Sequence, residues 1–199
     1  MSGSATRHEL RKAFRDKRLS LSPEQQNQAG LQLVEQYQQH AIFKGTRNIA
    51  IYLSFNGELN TRALIDYLWS AGCKVFVPIL HPFCAGHLLF QEFTAHSQMR
   101  LNSFGIAEPK LDVRYLCPIQ DLDVIFTPLV AFDIKGNRLG MGGGFYDRTL
   151  ASLQTSSNET SPILTGLAHD IQLSPHLPTE AWDIPLPYIL TPNKLYSFT

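Results

Sequence analysis

Five of the 13 glycines in this chain fall between Gly136 and Gly144. Four of them sit in the run Arg138-Leu139-Gly140-Met141-Gly142-Gly143-Gly144-Phe145-Tyr146-Asp147-Arg148. Glycine loses more freedom on folding than other residues, so such a cluster implies backbone shapes or close approaches that a β-carbon would block. A glycine run that follows a strand and opens a helix offers backbone N–H groups to an anion. Arg138 adds a phosphate partner and Asp147 a magnesium ligand. The spacing is neither a P-loop nor a dinucleotide fingerprint, since Phe145 stands where the third glycine of the latter would fall. On the glycines alone, phosphate binding and a tight helix start packed on a sheet remain equal alternatives.

A second group lies near the N-terminus. Six basic residues between Arg7 and Arg18 face two acids, Glu9 and Asp16. Arg7, Arg11, Arg15 and Arg18 form one stripe of a helix. Three readings fit: a solvated basic face, Arg7 and Arg11 reaching an anionic ligand together from adjacent turns, or a nucleic-acid contact. Glu58 is a candidate functional carboxylate, set against the plainer reading of a loop acid near a helix N-terminus. His169-Asp170 is a conceivable dyad, though such a pair is more often a structural hydrogen bond. His81, His87 and His96 lack metal-ligand spacing and read as loop or surface residues.

The elements that must carry these residues follow from periodicity and punctuation. A helix is expected from Thr6 to about Leu19, with Leu10, Ala13, Phe14 and Leu21 on its apolar side. Ser22-Pro23 starts a second helix. It runs to about Ile42 and buries Leu31, Val34, Tyr37 and Ala41. Asn48 to Leu53 is an apolar strand of the kind covered on both faces. Asn60 or Thr61 to Ala71 is a helix with Leu64, Ile65, Leu68 and Trp69 inward, and Lys74 to Pro78 is the next strand. This βαβ unit makes the two strands parallel. Ligands in such sheets sit beyond the carboxyl ends of the strands, where Leu53 to Glu58 and Pro78 to His81 fall. Gly86 to Phe93 reads as an edge strand, with Met99 to Leu101 pairing beside it and Ser103 to Pro109 as a loop. Val124 to Thr127 is a central strand leading through Pro128 to the glycine run. Gln154 to Ser161 is a polar surface loop, Pro162 to Ala168 a buried strand, and Tyr188 to Thr191 a last short strand.

Composition bounds the class. At 44% hydrophobic and 17% charged residues the 199-residue chain describes a globular protein. Lys+Arg and Asp+Glu both number 17, so no global field argues for nucleic acid or an anionic membrane. Cys73, Cys84 and Cys117 form no metal or disulfide pattern, and no leader or membrane span is visible. A cytoplasmic protein is expected, without nucleic-acid or membrane partners. Its single domain should cover residues 6–199, with residues 1–5 as a disordered N-terminus.

Taken together, several motifs resemble the 5-formyltetrahydrofolate cyclo-ligase family. They are Arg7 and Arg11, the strand-loop Leu53 to Glu58, Glu108-Pro109, Asp123 to Asp133, and the block Arg138 to Arg148. Ala168-His169-Asp170 and Trp182 to Pro187 complete the set, in order, over nearly the whole chain. The resemblance implies a three-layer αβα fold with a mostly parallel central sheet, of the NagB/RpiA/CoA-transferase-like kind. It implies ATP- and Mg²⁺-dependent cyclisation of 5-formyltetrahydrofolate to 5,10-methenyltetrahydrofolate, through phosphorylation of the formyl oxygen and attack by N10. Small-molecule substrates and a monomer go with it. The carried-over ATP positions are Arg7, His8, Glu9, Leu10, Arg11, Arg138, Leu139, Gly140, Met141, Gly142, Gly143, Gly144, Phe145 and Tyr146. The folate positions are Arg11, Leu53, Glu58 and Met141 to Phe145, and Asp147 and Asp183 are the magnesium positions. Some family members carry Arg and Lys where this chain has Met141 and Gly143, and Phe145 stands where Tyr is frequent. A catalytically inactive folate- or nucleotide-binding protein is the competing reading, opposed by the presence of Arg138, Asp147 and Glu58.

Overall fold

The computed structural model describes residues 6–154 and 161–198, so residues 1–5 and most of the polar tract after Gln154 lie outside the described residues. In chain order the helices are α1 (Arg7–Leu19), α2 (Pro23–Gln39), α3 (Arg62–Ser70) and α4 (Phe145–Gln154). The strands are β1 (Asn48–Ala50), β2 (Lys74–Leu80), β3 (Leu88–Glu92), β4 (Met99–Leu101), β5 (Ala107–Pro109), β6 (Leu116–Cys117) and β7 (Val124–Pro128). They continue with β8 (Ala131–Asp133), β9 (Arg138–Leu139), β10 (Ile163–Leu167), β11 (Leu173–Ser174), β12 (Tyr188–Leu190) and β13 (Leu195–Ser197).

The main sheet has eight strands in the order β13-β12-β10-β7-β1-β2-β3-β6. Its centre, β12 to β2, is parallel, while β13, β3 and β6 pair antiparallel at the edges. Register explains the layers. Val75, Ile49, Val124 and Ile163 form one row across four strands, and Phe76, Ala50, Ile125 and Leu164 form the next. Side chains alternate between faces along a strand. The first row therefore packs with α2 and α3 through Leu33, Tyr37, Leu64 and Leu68, and the second packs under α4 with Leu150 and Leu153. This is the expected αβα sandwich with a mostly parallel sheet.

The helices start as their sequences dictate. Thr6 and Ser22 are N-caps of α1 and α2, each in a reciprocal capping box, with Glu9 and Gln25 respectively. The buried face of α2 is Ala29, Gly30, Leu33 and Tyr37. Leu31 is 56% exposed and Ala41 is exposed, against expectation, because the helix ends at Gln39 and the buried stripe is set one step round. In α1, Phe14 and Arg18 are buried while Ala13 is exposed.

Two features were not legible. Met99–Leu101 pairs with Ala107–Pro109 in its own hairpin and not with β3. A three-stranded sheet, β11-β8-β9, stands between β7 and the glycine run. Its β8–β9 turn is held by Asp133, which accepts from the backbone N–H groups of Lys135, Asn137 and Leu177. Helix α1 packs on this small sheet, with Phe14 and Leu10 against Val130, Ala131, Leu139 and Leu177.

Candidate functional site

The order of the central strands fixes where a crevice must open. From β1 the chain passes through α3 to β2 on one side, while β7 lies on the other side of β1 and leads through α4 to β10. The crevice outside the carboxyl ends of β1 and β7 is thus a topological switch point. A cleft of about 920 Å³ lies there. Tyr52, Leu53, Phe55 and Glu58 enter it after β1, and Pro128 and Leu129 at the end of β7. Gly140 to Arg148 forms a third side, and Trp182 and Asp183 a fourth.

The glycine run enters α4 at Phe145. The first N–H groups of a helix have no partner within it and carry partial positive charge. Gly142 and Gly144 have φ of 100° and 65°, the left-handed region that side chains disfavour. Space matters as much as conformation. A β-carbon at Gly144 would stand 2.7 Å from Arg148 Nη1, and one at Gly142 would touch Arg11 Cζ at 3.6 Å. Arg11 Nε donates to the Gly140 carbonyl at 2.8 Å, and Arg148 donates to the carbonyls of Gly143 and Gly86. Two guanidinium groups therefore flank the loop, and both line the cleft. Phe145 packs edge-on against Phe104 at 5.6 Å and lies under Arg148.

Both proposed magnesium carboxylates line the cleft, and each is held by an arginine. Arg7 grips Asp183 at 2.5 and 3.0 Å, and Arg138 reaches Asp147 at 2.5 Å while its Nε donates to the Ile184 carbonyl. The two pairs adjoin: Asp147 also acts on Arg7, and Arg138 on Asp183. The Asp183 carboxyl is held below its ordinary value, burial opposing and the Arg7 and Glu180 hydrogen bonds prevailing. Among the described residues no three His, Cys, Asp or Glu side chains form a metal cage. Hard oxygens on two carboxylates beside an anion loop fit a Mg²⁺ shared with a ligand's phosphates, which is how this ion is commonly held.

Glu58 faces the cleft from the loop after β1, with its side chain 12% exposed. Burial pushes it up to about 7, against Arg18 and a 3.1 Å hydrogen bond from the Phe55 N–H. The Tyr146 hydroxyl, also in the cleft lining, is buried with no hydrogen-bond partner in the structure.

Not every candidate reaches the cleft. His8 and Glu9 are exposed, with Glu9 in the α1 cap, and Leu10 packs beside Phe14. Leu139 is fully buried in that same cluster. His169 and Asp170 form no dyad: Asp170 accepts from the Thr191 hydroxyl, while burial lowers His169 to about 4 and leaves its Nε2 without a partner. Glu108 does line the cleft, but it is buried and engaged by Arg100, Asn102 and the Leu80 N–H. The basic stripe of α1 turns inward, with Arg7 and Arg11 in the cleft and Arg18 fully buried. Arg18 stood in the basic stripe, Phe55 and Trp182 in the resemblance motifs and Phe104 in an expected loop, yet none was assigned to the site. The burial of Arg18 carried a signal, since Leu10, Phe14 and Arg18 lie four residues apart on one helix face.

An α/β fold that sets a glycine loop, flanking arginines and an inward carboxylate at a switch point offers a site suited to an anionic small molecule. The sequence model of the 5-formyltetrahydrofolate cyclo-ligase family matches residues 3–192, and the chain belongs to that family, one of ligases. The protein named 5-formyltetrahydrofolate cyclo-ligase from Escherichia coli (strain K12) is 49% identical over 185 residues, 93% of this chain and 100% of that one. Its namesake from Haemophilus influenzae is 48% identical over 187 residues, 90% of this chain and 94% of that one. The solved structure of Aquifex aeolicus 5,10-methenyltetrahydrofolate synthetase superposes with a TM-score of 0.80 at 26% identity, covering 96% of this chain and 92% of that one. No helix among the described residues is long and apolar enough to cross a membrane.

Proposed function

We propose that residues 6–199 act as one domain that converts 5-formyltetrahydrofolate to 5,10-methenyltetrahydrofolate at the expense of ATP and in the presence of Mg²⁺. The observation that carries this reading is the placement of two unlike recognition surfaces across one cleft. The glycine loop with Arg11, Arg138 and Arg148 faces Glu58, Leu53 and Phe55. The loop amides and arginines suit a triphosphate, and the carboxylate suits the N–H donors of a pterin.

Phosphoryl transfer asks for positioning and charge neutralisation more than covalent work by the protein. The γ-phosphoryl group passes to the formyl oxygen and ADP leaves. N10 then attacks the activated carbon, and inorganic phosphate departs with the former formyl oxygen and takes up the N10 proton. Arg11 and Arg148, already against the loop, oppose charge on the transferring oxygens. Phe104 and Phe145 give the folate an apolar wall that excludes water. Asp147 and Asp183 would hold Mg²⁺, which supplies further charge neutralisation at the phosphates when bound.

The test is direct: purified protein with 5-formyltetrahydrofolate and Mg²⁺ should develop the methenyl absorption band only after ATP is added. Ligand binding by calorimetry with no band at any substrate concentration would identify the catalytically inactive binding protein instead.

A further inference from the structure

Arg18 has 0% exposure, and its guanidinium lies where three loops of the cleft meet. Nε donates to the Asn56 carbonyl at 3.1 Å in the loop after β1, and Nη1 to the Leu129 carbonyl at 3.4 Å after β7. Nη2 stands 3.8 Å from Met141 Sδ in the glycine loop. Carbonyl and thioether partners orient a guanidinium without cancelling its charge. The carboxylate beside it is Glu58, with Oε1 4.0 Å from Nη1. Burying a cation is costly unless a counter-charge is near, so the Arg18–Glu58 relation matters to both partners.

The groups around Glu58 come from every element packed against it. Arg18 reaches it from α1, Tyr52 from the segment after β1 and Tyr146 from the first turn of α4. His169, after β10, acts on Arg18 from the far side. Both tyrosines are pushed up by burial and stay neutral near pH 7. Burial holds His169 at about 4, so it is neutral there too. Among these groups only Arg18 carries a charge near pH 7, and it opposes the burial that raises Glu58.

We propose that Arg18 is a positioning residue for the ligase reaction: its guanidinium joins the three loops, and its charge favours the ionised Glu58 carboxylate beside the ligand. The catalytic half of this rests on Glu58 facing the folate, while the electrostatic half does not. Arg18→Met deletes the charge and keeps an apolar stem, and Arg18→Lys keeps the charge without the planar fork. Two measurements separate the halves. One is the pH profile of kcat/KM for 5-formyltetrahydrofolate at saturating ATP. The other is the pH dependence of urea stability in the ligand-free protein, each variant compared with its Glu58→Gln partner, so that the difference reports Glu58 ionisation.

In both measurements the folded-state titration of Glu58 is expected near 7, as the midpoint of kcat/KM and as the pH at which the stability difference, changing from about 4.5 upward, levels off. In Arg18→Met both midpoints move upward by at least about one pH unit, and Arg18→Lys keeps the wild-type midpoint with reduced turnover. A uniform loss of kcat/KM at every pH, with the ligand-free midpoint unmoved, overturns the proposal and leaves Arg18 a packing residue. A ligand-free midpoint that moves, in a wild-type protein that makes no methenyl product, supports the Arg18–Glu58 link and refutes the folate reading alone. Should Arg18→Met fail to fold, Arg18→Gln carries the same two measurements with the same expected shift.

Discussion

Arg7 holds Asp183 through two nitrogens, at 2.5 and 3.0 Å, across 176 positions of sequence. The same guanidinium donates to the Pro178 carbonyl at 3.0 Å, so the first turn of α1 is fastened to the segment before β12. The pair is partly shielded, with side-chain exposures of 20% and 13%. Arg7→Met should destabilise the fold by about 1–3 kcal/mol, read as a lower urea midpoint with unchanged slope. It should also raise the KM for ATP. The Asp183 carboxyl is held below its ordinary value, so its share of stability is present above pH 3.8 and lost as pH falls further. Arg7→Met should remove that acid-side loss.

The two walls of the cleft should fail differently. Arg138→Ala frees Asp147 and strips the loop of a guanidinium, so kcat/KM for ATP should fall roughly 100- to 1,000-fold. Glu58→Gln should raise the KM for folate by about 10- to 100-fold, the range for a hydrogen bond to a charged group. Steady-state kinetics with each substrate varied in turn distinguishes them. Near wild-type values in both variants would remove the site assignment.

Stability should be nearly flat between about pH 4.5 and 6.5 because two buried groups oppose each other. Glu58, raised from 4.5 to about 7, favours the fold when protonated, and this stability is lost as pH rises through 7. His169, lowered from 6.5 to about 4, favours the fold when neutral, and this stability is lost as pH falls through 4. Each contributes a slope of about 1.4 kcal/mol per pH unit, with opposite sign. Glu58→Gln should therefore unmask a rise in stability from pH 4.5 to 6.5, and His169→Asn a fall. Urea titrations across this range decide it; parallel curves for the variants and the wild type would refute it.

Gly144→Ala combines a φ of 65° with a β-carbon 2.7 Å from Arg148 Nη1. The conformational part should cost about 1–2 kcal/mol. The displaced guanidinium should lower turnover more than it lowers stability, because Arg148 is exposed and holds the Gly143 carbonyl. Comparison of thermal melts with kcat checks this ordering.

Magnesium should matter to turnover and not to the fold. Asp147 and Asp183 already have arginine partners, so neither needs a metal for its charge to be balanced. A chelator should abolish product formation while leaving the melting temperature of the ligand-free protein unchanged. A drop of several degrees on chelation would point to a structural ion instead.

Much of this was readable from sequence. The βαβ unit from Asn48 to Leu80, the capped helices and the glycine run announce themselves locally, through periodicity, Ser and Thr caps and backbone freedom. The motif order carried the family, and with it Glu58, Arg138, Asp147 and Asp183, which the fold brings to the lining of one cleft. The sequence could not say which arginines of α1 would face inward, because that depends on the small sheet that α1 packs on. The strands of that sheet, two or three residues each, are too short to show a period. Nor could it say that Arg11 and Arg148 would both bond to carbonyls of the loop, since those contacts span 129 and five positions and depend on the space left by glycine. Local chemistry named the parts; long-range packing decided that Arg18 would be buried beside Glu58, because burial and charge pairing are properties of the assembled cleft and not of either segment alone.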